Sequence, residues 1–361
     1  MVSHPDSAIG SRRALLIGVG ITVAVFVAGL YWAKWAPYLA KATAAARSHE
    51  WSGRDILGVG GVRAGDAPSW AAATGFFEAY VLSIWPALAV ALLLSACVQA
   101  LLPRAWLPRM LNRRGVVSTA LAGGAASMPS MMCTCCAAPV AVTLRRSGVT
   151  RAAAVAYWLG NPLLNPAVLV FLLFVAPWQW TVTRLVVGVA AVVGIATVVG
   201  VLTRRDGLAR VGDAVHPAVG DGDAPQPAAR RFVTALLRLC VVLLPEYLAI
   251  VLLIGATRGW LLSLIEPGHR GLLVVLVAAV LGTLLVIPTA GEIPILQGLA
   301  LLGVSSGVLG ALLITLPAVS LPGVAMVVRG FGWKTVAVTT VMVVAAGMVG
   351  AAMLKMLTML P

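Results

Sequence analysis

The sequence predicts an all-α polytopic membrane protein, built as an inverted repeat of transmembrane helices with two broken or re-entrant hairpins. Hydrophobic residues make up 60% of the chain and charged residues 11%, against about 45–50% and about 25% in soluble domains. Apolar runs recur from end to end, and each is long enough to cross about 30 Å of hydrocarbon. Two similar halves flank a single polar segment in the interior.

The apolar runs set the order of the spans. They cover about 14–33, 76–102, 116–146, 152–176, 181–202, 232–256, 272–303, 305–328 and 335–358. The first follows Arg12 and Arg13 and lacks a clean cleavage site, which favours an uncleaved span over a signal peptide. The runs 116–146 and 272–303 exceed one crossing and are interrupted by Pro and Gly, which favours hairpins.

Four segments follow from these runs. Residues 1–75 hold an N-terminal span and an outer loop, and the polar stretch 34–74 predicts a loop with short helical pieces. Residues 76–202 form the first transmembrane repeat and 232–361 the second. Residues 203–231 are rich in Gly, Pro, Asp and Arg, a composition typical of a flexible linker, which we place in the cytoplasm.

The two halves align without a gap when the second is shifted by 155 positions. The identities least expected by chance are those of proline and glycine. Pro139, Gly148 and Pro162 align with Pro294, Gly303 and Pro317. The loop 144–151 carries three arginines, whereas its counterpart 299–306 carries none. Because Lys and Arg concentrate in cytoplasmic loops, we expect the two loops to face opposite sides, with the N-terminus cytoplasmic. Inverted repeats with broken helices are typical of secondary transporters.

A cluster of thiols lies in the first long run. Cys133, Cys135 and Cys136 occur within four positions, and thiolates are soft donors that select Cu(I), Zn(II) and similar species. A structural zinc site needs four ligands, yet Cys97 and Cys240 lie on other spans and every histidine lies in a tail or loop. The pattern therefore predicts transient binding of a soft substrate by two or three thiols; the alternative is that the cysteines only pack.

Prolines predict where the helices break, because each removes a backbone donor. The predicted breaks are Pro129, Pro139, Pro162, Pro166, Pro288, Pro294 and Pro317. In the run "NPLLNP" (161–166), Asn161 and Asn165 could satisfy the freed backbone groups or face the substrate, and both roles stay open.

Acidic side chains inside spans are functional candidates by default. Glu292 lies at the apex of the second hairpin and Glu246 lies within the span beside Pro245. Either could carry a proton that drives transport. The alternative is a structural acid, and a helix N-terminus would suit Glu292 in that role.

Two blocks carry a resemblance to a known family. "PSMMCTCCAAPVAVTLRRSGVTRAAAVAYWLGNPLLNPAVLVF" (129–171) and "IPTAGEIPILQGLALLGVSSGVLGALLITLPAVSLPGV" (287–324) resemble the predicted-permease family that includes the arsenical (ArsP-type) efflux permeases. The resemblance spans roughly 76–202 and 232–355, and "CTCC" matches the Cys-rich branch. It implies a plasma-membrane efflux permease for trivalent organoarsenicals or related thiophilic solutes, and hence arsenic resistance.

These observations together predict a secondary permease with a small thiophilic solute and the lipid bilayer as partners, no cofactor and no enzymatic activity. The net charge of +14 is explained by loops that orient helices and meet anionic lipid, so nucleic acid is not expected. A homo-oligomer is left open. Two alternatives remain: a membrane thiol oxidoreductase that uses the C-x-x-C spacing of Cys133 and Cys136, and a membrane subunit that senses or sequesters metal.

Overall fold

The computed structural model describes residues 5–50, 56–102, 106–210, 227–263 and 271–359. Throughout these ranges the secondary structure is helical and no β-strand occurs. Fifteen α-helices follow one another: α1 (Pro5–Leu30), α2 (Ala36–Ser48), α3 (Trp70–Leu101), α4 (Trp106–Leu111), α5 (Val116–Ser127), α6 (Thr134–Arg146), α7 (Arg151–Leu163), α8 (Pro166–Val175), α9 (Trp178–Arg210), α10 (Ala228–Ser263), α11 (Leu272–Leu284), α12 (Glu292–Leu301), α13 (Ser306–Ala318), α14 (Leu321–Phe331) and α15 (Trp333–Met359).

The long helices confirm the all-α polytopic membrane fold. Six helical segments are long and apolar enough to cross a bilayer: Leu16–Ser48, Trp70–Leu101, Arg151–Val175, Trp178–Thr203, Ala228–Ser263 and Trp333–Met359. The pair α13 and α14 is bent by 50° at a short break and makes a seventh segment of this kind. Many large apolar side chains on these helices are exposed, as expected of surfaces that face lipid.

The N-terminal segment differs from the sequence prediction. We expected the first span to end near residue 33 and a loop with short helical pieces to cover 34–74. Instead the helix of the first span continues through a π-helical turn, Tyr31–Trp35, into α2 and ends at Ser48. The polar Lys34 does not end the span because it is buried and hydrogen-bonded to other side chains. The irregular part of this segment lies only between α2 and α3, and it contains one 3₁₀ turn, Val59–Gly61.

Both predicted hairpins consist of two short α-helices joined by a break, which in the first hairpin contains a 3₁₀ turn, Met128–Ser130. Helices α5 and α6 have 12 and 13 residues, and α11 and α12 have 13 and 10. At 1.5 Å per residue the longest extends only about 20 Å, less than the roughly 30 Å of a hydrocarbon core. Each tip contains a residue with positive φ, Met131 in the first and Ala290 in the second.

Two predicted proline breaks are wrong. Helix α6 continues through Pro139, and Pro294 lies in the first turn of α12. A proline in a first turn is tolerated because the backbone donor it lacks would have no helical partner there. The hairpins turn earlier in the chain, at 128–133 and 285–291. By contrast, α7 and α13 end one residue after Pro162 and Pro317.

The helices repeat with the same spacing as the sequence. Helices α13, α14 and α15 each begin 155 residues after α7, α8 and α9. The turns that precede α7 and α13 match as well: Gly148 and Gly303 have positive φ, and Thr150 and Ser305 cap the helices with their side chains. Within each half the first hairpin helix packs on the broken span, α5 on α7 and α11 on α13.

One helix crossing shows how the duplicated halves diverged while keeping their packing. A Cβ on Gly160 would collide with the hydroxyl of Ser127, and in the other half a Cβ on Gly282 would collide with the hydroxyl of Thr315. Ser127 corresponds to Gly282 and Gly160 to Thr315. Each crossing therefore has one glycine and one hydroxyl residue, on opposite helices in the two halves, because the space admits only one side chain.

The halves meet through corresponding helices. Helix α3 packs along α10, and α9 packs along α15. Helix α3 begins at Trp70, before the predicted start of the first repeat, while α9 extends to Arg210 and α10 begins at Ala228. The ends of the predicted linker are thus helical, and its centre, 211–226, lies outside the described residues.

Candidate substrate site

The tips of the two hairpins and the breaks of α7–α8 and α13–α14 converge on one small cavity. Its lining residues are Cys133, Pro162, Val168, Ile287, Pro288, Thr289, Ala290, Glu292 and Pro317. The cavity measures about 10 Å³, which is the space of about one water molecule. This conformation is therefore closed to a larger solute.

Three thiols meet at the tip of the first hairpin. Cys133 lies in extended backbone at the N-terminus of α6, and Cys135 and Cys136 lie in its first turn. The sulfur of Cys133 is 3.0 Å from that of Cys135 and 3.2 Å from that of Cys136. All three sulfurs lie within 4.8 Å of one another and are buried. Sulfurs that share a soft ion at about 2.3 Å lie at most about 4.6 Å apart, so the cluster is nearly preformed for a common ligand.

Two tyrosines extend the polar cluster away from the cavity. The hydroxyl of Tyr80 on α3 lies 3.2 Å from the sulfur of Cys135, and Tyr247 on α10 donates to Tyr80 at 3.1 Å. Both rings are buried. The sequence analysis did not identify them, because tyrosine in an apolar span has no distinctive spacing.

The two asparagines of "NPLLNP" stabilise backbone. The side-chain oxygen of Asn161 accepts hydrogen bonds from the Ser130 hydroxyl and the Met132 amide, which holds the first hairpin tip against α7. Asn165 caps α8 by accepting from the amides of Ala167 and Val168. Its own amide nitrogen is buried and has no hydrogen-bond partner in the described part of the chain, so this donor is available for a ligand.

Glu292 lies on the cavity and pairs with a cation that the sequence analysis missed. It is the first residue of α12, and its carboxylate accepts from Arg184 at 2.9 Å, with both side chains buried. Arg184 lies in the second turn of α9, near the start of the apolar run 181–202. An arginine in such a run is itself a functional signal, but only acidic residues were singled out.

Lys34 is a second buried cation that was missed. Its ammonium group donates to Tyr38 at 3.0 Å and to Thr289 at the second hairpin tip at 3.1 Å. It also lies near Cys133 and Cys136. The neighbouring Trp35 donates to the carbonyl of Pro129 at the first tip, at 2.8 Å. The N-terminal helix therefore holds both tips from one side.

Glu246, the other acidic candidate, lies elsewhere. It forms an ion pair of 2.8 Å with Arg329 on α14, and its side chain is 32% exposed, against 2% for Glu292. Glu246 does not line the cavity. The structure thus brings Glu292 to the thiols and leaves Glu246 at the periphery.

Half-helices that meet at a buried polar centre between two repeated bundles are the architecture of membrane transport proteins, and they define this chain as a polytopic membrane protein of the permease class. The chain belongs to the predicted permease family, whose model matches residues 69–356. It is 40% identical over 329 residues to the UPF0718 protein YraQ of Escherichia coli (strain K12), covering 90% of this chain and 91% of that relative. No solved structure matches the chain significantly.

Proposed function

We propose that this permease is a secondary transporter that exports a small thiophilic solute, either a trivalent (organo)arsenical or a soft metal species, and that Cys133, Cys135 and Cys136 bind it. The observation that carries the proposal is the convergence of three sulfurs within 4.8 Å beside a cavity at the junction of the two hairpins. Cys133 lines that cavity directly.

The chemistry of binding is ligand exchange without electron transfer. When a trivalent arsenic hydroxide meets a thiol, an arsenic–sulfur bond replaces an arsenic–oxygen bond, and the hydroxide leaves with the thiol proton as water. The thiolate is the reacting form. Two or three such exchanges hold the solute, and the reverse exchange with external water or thiols releases it.

Release also requires the site to open. The cavity has room for about one water molecule, so the hairpin tips must separate before a larger solute enters or leaves. Alternating access between two inverted repeats supplies such a movement. We place the protein in the inner membrane with a cytoplasmic N-terminus, and Glu292 and Glu246 remain the candidates for a coupling proton.

The test replaces the three cysteines by serine, singly and together. Serine preserves size but is a poor soft ligand, so the triple variant should lose binding of a trivalent phenylarsenical and lose resistance of the cells to it. Cys97→Ser and Cys240→Ser are matched controls, since these cysteines lie on other helices. Equal membrane expression of every variant is measured by immunoblot. A triple variant that transports as well as the parent would overturn the proposal.

The close contact of Cys133 and Cys136, 3.2 Å between sulfurs, also suits a thiol oxidoreductase that cycles a disulfide. Cys135→Ser distinguishes the two functions. An enzyme that uses only Cys133 and Cys136 keeps its activity in this variant, whereas a site with three sulfur ligands binds its solute less tightly.

A further inference from the structure

We propose that Thr134 and Ser320 form an oxygen-binding subsite beside the thiols, centred on the space above Gly323. This inference rests on the proposed function and deepens it. It assigns to the substrate an acceptor oxygen, a hydroxide or an oxyanion, in addition to the thiophilic atom.

The first observation is that two buried hydroxyl groups have no partner. Thr134 and Ser320 are 3% and 1% exposed. Neither hydroxyl makes a hydrogen bond to any residue that the structure describes. A buried hydroxyl without a partner costs roughly 1–3 kcal/mol, so two of them side by side indicate a position that a ligand or a water molecule fills.

The second observation is that both hydroxyls face the same small space. A Cβ built on Gly323 would lie 3.3 Å from the hydroxyl oxygen of Ser320 and 3.3 Å from that of Thr134. The ring of Trp158 closes the third side at 3.6 Å. Because residue 323 is glycine, no side chain separates the two hydroxyls, and one oxygen atom held between them would be within reach of both.

The electrostatic surroundings favour an acceptor oxygen over a cation. Thr134 is the first residue of α6, and Ser320 precedes the first residue of α14. Two helix N-termini, each with a positive end and free amide donors, therefore flank the space. A serine at this position normally accepts from a helix amide, but Ser320 makes no such bond, so its hydroxyl is free to donate to a ligand.

The subsite adjoins the thiol cluster, since Thr134 lies between Cys133 and Cys135 in the chain. A substrate that contacts both groups needs a thiophilic centre with an oxygen still attached. Arsenous acid, As(OH)₃, meets this requirement, because the exchange of two hydroxides for thiol sulfur, with release of two waters, leaves the third hydroxide on the arsenic. A bare soft metal ion meets it only through a bound water. The geometry therefore favours the metalloid.

The test compares two probes on the purified full-length protein in detergent by isothermal titration calorimetry. The probes are arsenous acid, which keeps one hydroxide after two exchanges with thiols, and Cd²⁺, which needs only sulfur. The variants are Thr134→Val with Ser320→Ala, and Gly323→Ala, whose methyl group fills the space. Gly298→Ala is the control, because a Cβ there meets nothing within 4 Å.

We expect both altered proteins to bind arsenous acid roughly tenfold more weakly, as loss of two hydrogen bonds implies, and to bind Cd²⁺ as the parent does. Equal weakening of both probes would overturn the subsite and assign the hydroxyls to support of the hairpin tip.

The triple cysteine variant, measured in the same series, separates this inference from the proposed function. If it no longer binds either probe, while the hydroxyl variants bind both probes as the parent does, only the subsite proposal is wrong. If it binds arsenous acid as the parent does, the proposed function is wrong and the subsite is wrong with it.

Discussion

Arg184 donates a hydrogen bond of 3.0 Å to the carbonyl of Leu313, the oxygen that Pro317 leaves without a helical donor four residues later. The same guanidinium binds the carbonyls of Pro162 and Leu163 at the end of α7. One side chain of α9 thus satisfies the broken backbone of both repeats. Its remaining partner is Glu292 on the second hairpin, so the breaks and the cavity wall are joined through one cation.

This arrangement predicts that Arg184 contributes more to stability than Glu292. Arg184→Met leaves three buried carbonyls and a carboxylate unpaired, whereas Glu292→Gln leaves the carbonyl contacts intact. Breaking a buried ion pair costs about 3–5 kcal/mol, and we expect the arginine variant to lose the larger amount. Thermal unfolding of the purified protein, followed by tryptophan fluorescence, compares the stability of the two variants. A larger loss of stability in Glu292→Gln than in Arg184→Met would contradict the prediction.

Glu292→Gln also tests proton coupling. If Glu292 carries the driving proton, the variant should bind the phenylarsenical normally and fail to transport it uphill in proteoliposomes, even though loss of the ion pair lowers its unfolding temperature. A fall in unfolding temperature together with weaker binding would instead assign Glu292 to structure.

Lys34 is predicted to support binding at the thiols. Among the described residues no carboxylate pairs with it, and its charge lies near Cys133 and Cys136. Lys34→Met keeps the length of the side chain but removes the charge and the bond to Thr289, so we expect roughly tenfold weaker binding of the phenylarsenical, the loss of one charged hydrogen bond. Lys41→Met is the control, since Lys41 is exposed on α2. If the two variants weaken binding of the phenylarsenical equally, Lys34 has no specific role at the thiol site.

Glu246 is expected to be dispensable. A half-exposed ion pair is worth at most about 1 kcal/mol, and this one lies away from the cavity. Glu246→Gln and Arg329→Gln should each keep the unfolding temperature and the uphill transport rate near those of the parent. Loss of uphill transport in Glu246→Gln alone would make Glu246 the proton carrier.

The inverted topology predicts opposite accessibility for the two equivalent loops. Ser147→Cys and Leu302→Cys occupy corresponding positions in the repeats and are placed in a background without exposed thiols. A membrane-impermeant maleimide should label position 302 from outside in intact cells, and position 147 only after the membrane is opened. Labelling of both from one side would exclude the inverted repeat.

The sequence determined the class of fold, the duplication and the thiol cluster, because these depend on local composition and spacing. Apolar runs of fixed length predict spans, and the pairs Gly148–Gly303 and Pro162–Pro317 could be aligned without coordinates. The helix breaks were predicted only in part. Pro294 does not break α12, because a proline in the first turn lacks a donor that would have had no helical partner. Pro139 is the sixth residue of α6, and the helix continues through it.

Only the tertiary structure decided which polar groups belong to the site. Lys34, Arg184 and Tyr247 come from helices that are remote from one another in sequence. None of the three belongs to a recognisable sequence motif. Their roles depend on which unsatisfied carbonyl, sulfur or hydroxyl lies within about 3 Å, the range of a hydrogen bond. Buried polar groups in a membrane have no water to bond to, so they must bond to other groups of the protein. Which groups come within reach depends on how the helices pack, and the residue order along a single helix does not determine that packing.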